Sequence, residues 1–319
     1  MSTTSPGGTG SRLPNLVIAG VSKAGTTSLF HYLGQHPDIG TSDVKELRYF
    51  TPLRYGERPE PIESYAAHFA ACGENRYALE ATPGYFYGGE RLARGMKDAL
   101  PEVRVLVSLR APVDRCWSWF GFVKSRMRIP KEMTFEAYLD RCEELHRAGV
   151  DGDIENQPFW GMGGGCYAQW LDAWTETFGD RFRIVFFDEL VRDPASVTTS
   201  TCEWLGLDSG PVGTFEFAVD NKTEAYRNKQ LQNVAVRVNR RAESFFHKHQ
   251  DVKRWLRRGY YSVNRAHTET MPPAARERLT EFYRPHNARL AEQLASLGLT
   301  MPSSWWNSDN RDDEVLRRP

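Results

Sequence analysis

Between an apolar run ending at Ala19 and a helical pattern opening at Thr26 lies the segment Gly20-Val-Ser-Lys23-Ala24-Gly25-Thr26-Thr27-Ser28. Such a loop turns backbone N–H groups toward one point, and a helix start adds unpaired N–H groups and the positive end of its dipole, which together attract an anion. A lone glycine turn would be an ordinary strand-to-helix connection with Gly and Thr as turn and cap residues. Lysine together with paired threonines favours anion binding. The spacing Gly20-x4-Gly25 copies a phosphate-binding P-loop, but Thr26 stands where that motif has lysine, and the lysine falls three positions earlier. A second cation, Arg110, follows the buried run Val103–Leu109 and precedes Pro112. Ligands of open α/β sheets bind at the C-terminal ends of the strands, so Arg110 is read as an anion ligand rather than a solvated charge. Ser118 lies about two helical turns further on, able to lean back toward the same crevice, though by spacing alone a helix-surface serine reads nearly as well. The strand before Arg110 does not end in an aspartate for Mg²⁺. With Thr26, this counts against a nucleotide kinase or GTPase, which stays as an alternative beside a non-catalytic nucleotide-binding protein of the same fold.

These residues need elements to position them. The run 13–19 (LPNLVIA) predicts a buried strand, and 26–37 predicts a helix with Leu29, Tyr32 and Leu33 on one face, stopped by Pro37. Residues 75–80 predict a second strand before a turn at Thr82-Pro83-Gly84, 89–100 a helix, and 103–109 the clearest buried strand. A helix starts at Pro112, which suits a first helical position, and 134–148 continue as helix. The glycine-rich stretch 149–165 predicts a long loop, and loops of that length are usually functional or mobile. Helix 166–178, strand 182–187 and helix 195–205 form another α/β unit, and 228–297 is mostly helical. The alternation predicts an α/β fold: a P-loop-like parallel sheet flanked by helices on both faces, with a helical C-terminal part.

The 319 residues are 40% hydrophobic, enough to bury one large core, so a single domain over 13–306 is expected, with disordered tails at 1–12 and 307–319. Forty-one basic residues balance 41 acidic ones, so no global charge points to nucleic acid or a membrane surface, and any anion site is local. Five widely spaced cysteines without a CxxC suit a reducing compartment and argue against a disulfide framework or a zinc site. Neither a signal-type apolar segment nor an apolar run of about 18 residues occurs, so no membrane span is expected and the cytoplasm is the expected location.

The motifs resemble those of the sulfotransferases that use 3′-phosphoadenosine-5′-phosphosulfate (PAPS), especially the heparan-sulfate-type branch and its soluble bacterial relatives. Gly20–Ser28 resembles that family's 5′-phosphosulfate loop. LVSLRAPVDRCWSWF (106–120) resembles its 3′-phosphate motif, which implies Arg110 and Ser118 as phosphate ligands. Asp43-Val-Lys45-Glu46-Leu-Arg48-Tyr-Phe50 is similar to the segment supplying the catalytic glutamate, which implies Glu46 as the base. Glu80-Ala-Thr-Pro-Gly-Tyr85-Phe86 is similar to an acceptor-side turn, with Ala81 where that branch has an acceptor-site lysine. Tyr167-Ala-Gln-Trp170-Leu, FFDELVRDP (186–194) and EFYRPHNARL (281–290) extend the likeness to roughly residues 13–306. The nearest match to the family's nucleotide-closing element implies Arg265 as a further 3′-phosphate ligand. A sulfuryl donor sets a specification these residues meet. Lys23 suits the bridging oxygen that gains charge as the S–O bond breaks, and Lys23, Ala24, Gly25, Thr26, Thr27 and Ser28 suit the cradle. The resemblance implies PAPS as donor, 3′-phosphoadenosine-5′-phosphate (PAP) as product, no metal, and a hydroxyl acceptor that is a carbohydrate, a glycolipid or a small secondary metabolite.

Several other residues carry chemistry in principle. His31 is expected to pack against the first helix's apolar neighbours, and His36-Pro37 to stop that helix. Lys124, Arg126, Arg128 and Lys131 are expected to form a solvated charged face, with docking of an acidic acceptor or carrier protein as the alternative. Phe159 and Trp160 either cover an acceptor or pin the glycine-rich loop to the core.

Overall fold

In the computed structural model, which describes residues 12–218 and 270–306, five parallel strands form one sheet in the order β2-β3-β1-β4-β5. They are β1 (Leu16–Gly20), β2 (Ile39–Thr41), β3 (Tyr77–Ala81), β4 (Arg104–Leu109) and β5 (Phe182–Phe186). β1 is central, with Leu16 opposite Leu79 of β3 on one side and Arg104 of β4 on the other. Every residue of β1 and β3 is buried, which is why β1 reads as a continuous apolar run rather than an alternating one.

Side chains alternate across a strand, so β1 feeds two cores. Leu16 and Ile18 join the core formed with α1 (Thr26–Leu33) and α9 (Pro194–Trp204), through Leu29, Leu33, Val197 and Cys202. Val17 and Ala19 join the larger core on the opposite face, beneath α4 (Gly89–Ala99), α5 (Pro112–Ser125), α7 (Ala168–Phe178) and the long helix α10 (Pro273–Ser296). On α5, Val113, Cys116, Phe120 and Val123 make the buried stripe. On α10 the stripe is Leu279, Tyr283, Asn287, Leu290 and Leu294. The remaining helices are α2 (Thr51–Arg54), α3 (Ile62–Ala66), α6 (Phe135–Arg147) and α8 (Phe187–Arg192). Trp174 of α7 is fully buried, and truncating such a side chain to alanine costs about 3–5 kcal/mol.

The expected sheet with helices on both faces is therefore present. Four short elements, β2, α2, α3 and α8, join the expected ones. The stretch 149–165 is not an open loop. It contains two 3₁₀ turns, at Gln157–Phe159 and Gly163–Gly165, and Trp160, Met162 and Cys166 are buried. Its glycines answer to close approach, not freedom: a Cβ at Gly161 would lie 2.6 Å from the Tyr138 hydroxyl, and one at Gly165 would lie 2.7 Å from that of Tyr283. The buried guanidinium of Arg115 donates to the carbonyls of Trp160 and Gly161, and Tyr283 donates to that of Met162 at 2.8 Å. Trp160 thus pins this segment to the core. At the other end of the described chain, Arg12 donates to the carbonyls of Gly73 and Asn75. All five cysteines are free and buried.

Candidate active site

The segment from β1 to α1 is held by β4. The Val21 N–H donates to the Ser108 carbonyl at 2.9 Å, and the Ser108 hydroxyl donates to the Ala24 carbonyl at 2.6 Å. Lys23 and Gly25 both take left-handed backbone angles, φ 72° and 76°. At Gly25 a side chain is doubly excluded, since its Cβ would also sit 2.8 Å from Leu190 and 2.9 Å from Phe187. The first backbone bond of α1 runs from Leu29 N–H to the Gly25 carbonyl at 3.0 Å, and no side chain caps the helix start. The N–H groups of Thr26, Thr27 and Ser28 therefore precede the helical ladder. Their hydroxyls, like that of Ser118, have no hydrogen-bond partner among the described residues. Donors and hydroxyls gathered around a turn that admits no side chain fit a phosphate or sulfate group.

Two cations meet at this loop. Arg110, half-buried after β4, donates from Nη1 to the Lys23 carbonyl at 3.0 Å, and its guanidinium lies 4.6 Å from the Phe187 ring. Burial lowers the Arg110 pKa against the pull of Asp114 and Asp188, and it has no ion pair within contact distance among the described residues. Those two carboxylates are engaged elsewhere: Asp114 accepts from Arg276 at 3.0 Å and Asp188 from the Trp305 indole at 2.9 Å. The Lys23 ammonium stands 4.9 Å from the Phe122 ring. Burial pushes its pKa down to about 8, with Arg110 and Arg126 adding to the fall and Glu46 opposing it. Ser118 lies half-buried on α5, the helix that Arg110 precedes.

Glu46 lies on the segment between β2 and α2, which runs along the end of β3. The Ser42 N–H donates to the Leu79 carbonyl at 3.0 Å, that of Glu46 to Ala81 at 3.0 Å, and that of Arg48 to the Thr82 hydroxyl at 3.1 Å. Glu46 and Arg48 have φ of 68° and 60°. The Glu46 carboxylate receives Lys45 at 3.2 Å and Arg48 at 3.4 Å, and its side chain is 40% exposed. Partial burial works to raise its pKa, and the charges of Lys45 and Arg48 outweigh that and hold it below the usual value. The carboxylate is thus ionised at neutral pH, open to solvent, and close enough to Lys23 to raise that residue's pKa.

The structure brings Lys23, Ala24, Gly25, Thr26, Thr27, Ser28, Arg110 and Glu46 to the C-terminal edge of the sheet beside its central strand. Arg265 lies outside the described residues. His36 is a structural residue: its Nε2 is 2.9 Å from the Asp208 carbonyl, and its Nδ1 accepts the Asp38 N–H. His31 is exposed, with its ring edge-on to that of Phe30 at 5.7 Å. Arg128 bonds Gln157 at 2.7 Å and Lys124 the Met133 carbonyl at 3.1 Å, while Arg126 of the same cluster lies 5.5 Å from the Phe122 ring and its charge helps to lower the Lys23 pKa. Sequence reasoning missed the roles of Lys45, Arg48 and Arg126 around this crevice, and the buried carboxyl of Glu80 beneath it. A basic residue on either side of Glu46 was the available signal for the first two. Among the described residues no group of His, Cys, Asp or Glu side chains is placed to hold a metal ion, and no helix is long and apolar enough to cross a membrane.

Comparison with known proteins identifies the family. The chain is similar to the human bifunctional heparan sulfate N-deacetylase/N-sulfotransferase 1, with 25% identity over 309 residues, 93% of this chain and 31% of the relative. It is 28% identical over 280 residues to the human heparan sulfate glucosamine 3-O-sulfotransferase 6, covering 87% of this chain and 71% of that protein. The chain spans only 23–31% of the length of the N-deacetylase/N-sulfotransferases it matches. A crystal structure of a sulfotransferase from Alicyclobacillus acidocaldarius shares the fold, with a TM-score of 0.65 and 24% identity over 93% of this chain and all of that one. Residues 91–297, which include Arg110 and Ser118, match the sulfotransferase domain, and the chain belongs to that family.

Proposed function

We infer that this protein transfers a sulfuryl group from PAPS to a hydroxyl of a carbohydrate acceptor, with Glu46 as base. The observation that carries this reading is the meeting of Lys23 and Arg110 at one loop, joined through the Lys23 carbonyl, with the ionised carboxylate of Glu46 near enough to oppose the fall of the Lys23 pKa. PAPS supplies an activated sulfuryl group on a phosphate leaving group. The N–H groups and hydroxyls of Gly25 to Ser28 hold its 5′ end, and Arg110 with Ser118 holds the 3′-phosphate. Glu46 accepts the proton of the acceptor hydroxyl as its oxygen attacks sulfur in line with the breaking bond. Lys23 stabilises the negative charge arriving on the bridging oxygen, where a cation counts most because that charge is absent from the ground state. Arg265 is proposed as a further 3′-phosphate ligand. The carbohydrate class rests on the relatives' heparan sulfate names, and glycolipids or small metabolites are the next candidates. Five free thiols support a cytoplasmic setting.

The test is PAP binding without metal, followed by transfer from radiolabelled PAPS to hydroxylated and amino-bearing oligosaccharides. At about 100 times its dissociation constant, PAP should stabilise the fold by roughly 2.7 kcal/mol, and 5′-AMP should do less because only one phosphate clamp is engaged. A strict Mg²⁺ requirement would favour a kinase. PAP binding with no turnover across the panel would favour a non-catalytic nucleotide-binding protein, and transfer to amines alone would overturn the hydroxyl.

A further inference from the structure

The carboxyl of Glu80 is wholly buried near the end of β3, between Val17 of the neighbouring strand and the segment that bears Glu46. Burying a carboxyl is costly unless it is hydrogen-bonded, and an apolar residue would fill a sheet position at less cost. Here both oxygens are engaged: Tyr65 donates to Oε2 at 2.8 Å and Thr82 donates to Oε1. A threonine hydroxyl has one proton. Giving it to Glu80 turns the hydroxyl's lone pairs outward, and there they accept the Arg48 N–H at 3.1 Å.

That bond matters because of what it holds. Glu46 and Arg48 both sit in the left-handed region, which costs a side-chain-bearing residue about 1–3 kcal/mol and persists only where the surroundings fix it. Two bonds fix this segment on either side of Leu47. The Glu46 N–H donates to the carbonyl of Ala81, and the Arg48 N–H donates to the hydroxyl of Thr82. Both acceptors follow Glu80 directly in sequence. A third tether, Phe50 N–H to the Tyr85 hydroxyl at 3.3 Å, lies further along the same segment.

We propose that Glu80, acting through the Thr82 hydroxyl, is the positioning device that holds the Glu46 segment in its left-handed conformation and so aims the Glu46 carboxylate. Neither Glu80 nor Thr82 touches a reacting group. The proposal rests on Glu46 being the base.

Thr82→Val keeps shape and removes the hydroxyl, and Thr82→Ser restores it. Hydrogen exchange over residues 43–50 needs no acceptor. It should speed up roughly tenfold in Thr82→Val, about the worth of one hydrogen bond, and return to normal in Thr82→Ser. PAP affinity should stay within about twofold in both, since a hydroxyl on this side of the crevice is not among the anion donors, and it reports that the fold is intact. With PAPS and a heparan-type oligosaccharide, Thr82→Val should lower kcat about tenfold or more with little change in the KM for PAPS, because misplacing a base acts on the chemical step. In a Glu46→Gln background it should lower kcat no further, as two residues acting through one group are not additive. If Thr82→Val does not fold, Tyr85→Phe tests the same segment at its third tether with the same exchange readout. Unchanged exchange over 43–50 overturns the positioning device while leaving Glu46 standing as base. Full turnover in Glu46→Gln overturns the base, and the device with it, whatever the exchange shows.

Discussion

The Arg110 guanidinium donates to the backbone carbonyl of Lys23 at 3.0 Å, so two cations of the crevice are tied together through main chain. Burial works against the charge of each, and an incoming dianion offsets that cost for both.

Arg110→Ala should therefore weaken PAP binding by about 2–5 kcal/mol, the usual result of removing one side of a desolvated charge pair. The fold should remain, since no contacting carboxylate among the described residues is left unpaired. Calorimetric titration checks it, and unchanged PAP affinity would return Arg110 to a solvated strand-end charge.

Lys23 should make PAP binding depend on alkaline pH. Its ammonium titrates at about 8 in the free protein, and a bound anion favours the protonated form. Binding near pH 8 should take up protons, binding at pH 6.5 should not, and affinity should fall as pH climbs above 8. Titrations in buffers of different ionisation enthalpy measure this directly. Lys23→Ala should abolish the uptake and lose more turnover than PAP affinity, and near-normal turnover in that variant would remove Lys23 from the chemical step.

Glu46→Gln should keep PAP affinity and lose transfer by about 10²–10⁴-fold, the usual contribution of a positioned general base. Lys45 and Arg48 overcome the opposing effect of partial burial and hold the carboxyl low, so wild-type activity should persist well into acid. A histidine base would fail below about pH 6.5, and an acid limb there would direct attention away from Glu46.

Glu80 should leave a mark on stability. Burial raises its carboxyl to about 7 against the hydrogen bonds of Thr82, Tyr65 and Tyr85, while the unfolded chain titrates near the ordinary 4.5. A raised folded-state value contributes stability that is fully present below 4.5 and is lost as pH rises through 7. The melting temperature of the wild type should therefore fall between pH 5 and pH 8 relative to that of Glu80→Gln. Parallel curves would mean that the carboxyl is ionised throughout.

The sheet was legible where strands are buried on both faces. Val103 to Leu109 reads as β4 without ambiguity, and Arg110 after it reads as a strand-end ligand. β2 was not legible, because three residues with Gly40 in the middle show no period. That glycine answers to Cys72, whose backbone would lie 2.8 Å from an added Cβ. The glycine-rich stretch misled for a related reason: Gly161 and Gly165 make room for the hydroxyls of Tyr138 and Tyr283, contacts far apart in sequence. In the site, Lys23 and Thr26 announce an anion through local spacing. Glu46 gains its meaning only when β3 brings Ala81 and Thr82 beneath it, and Arg126 only when Phe122 of α5 brings it and Lys23 to one ring.

The five thiols hold a practical consequence. None is accessible, and burial raises every one of them, Cys142 and Cys166 to about 12 and Cys202 to about 11. The thiolate is the reactive form, so the native chain should be nearly silent to maleimides and mild oxidants. A cysteine placed at Ile154, where the side chain is 63% exposed, would then be the one fast-labelling position, a ready anchor for a fluorophore or a spin probe.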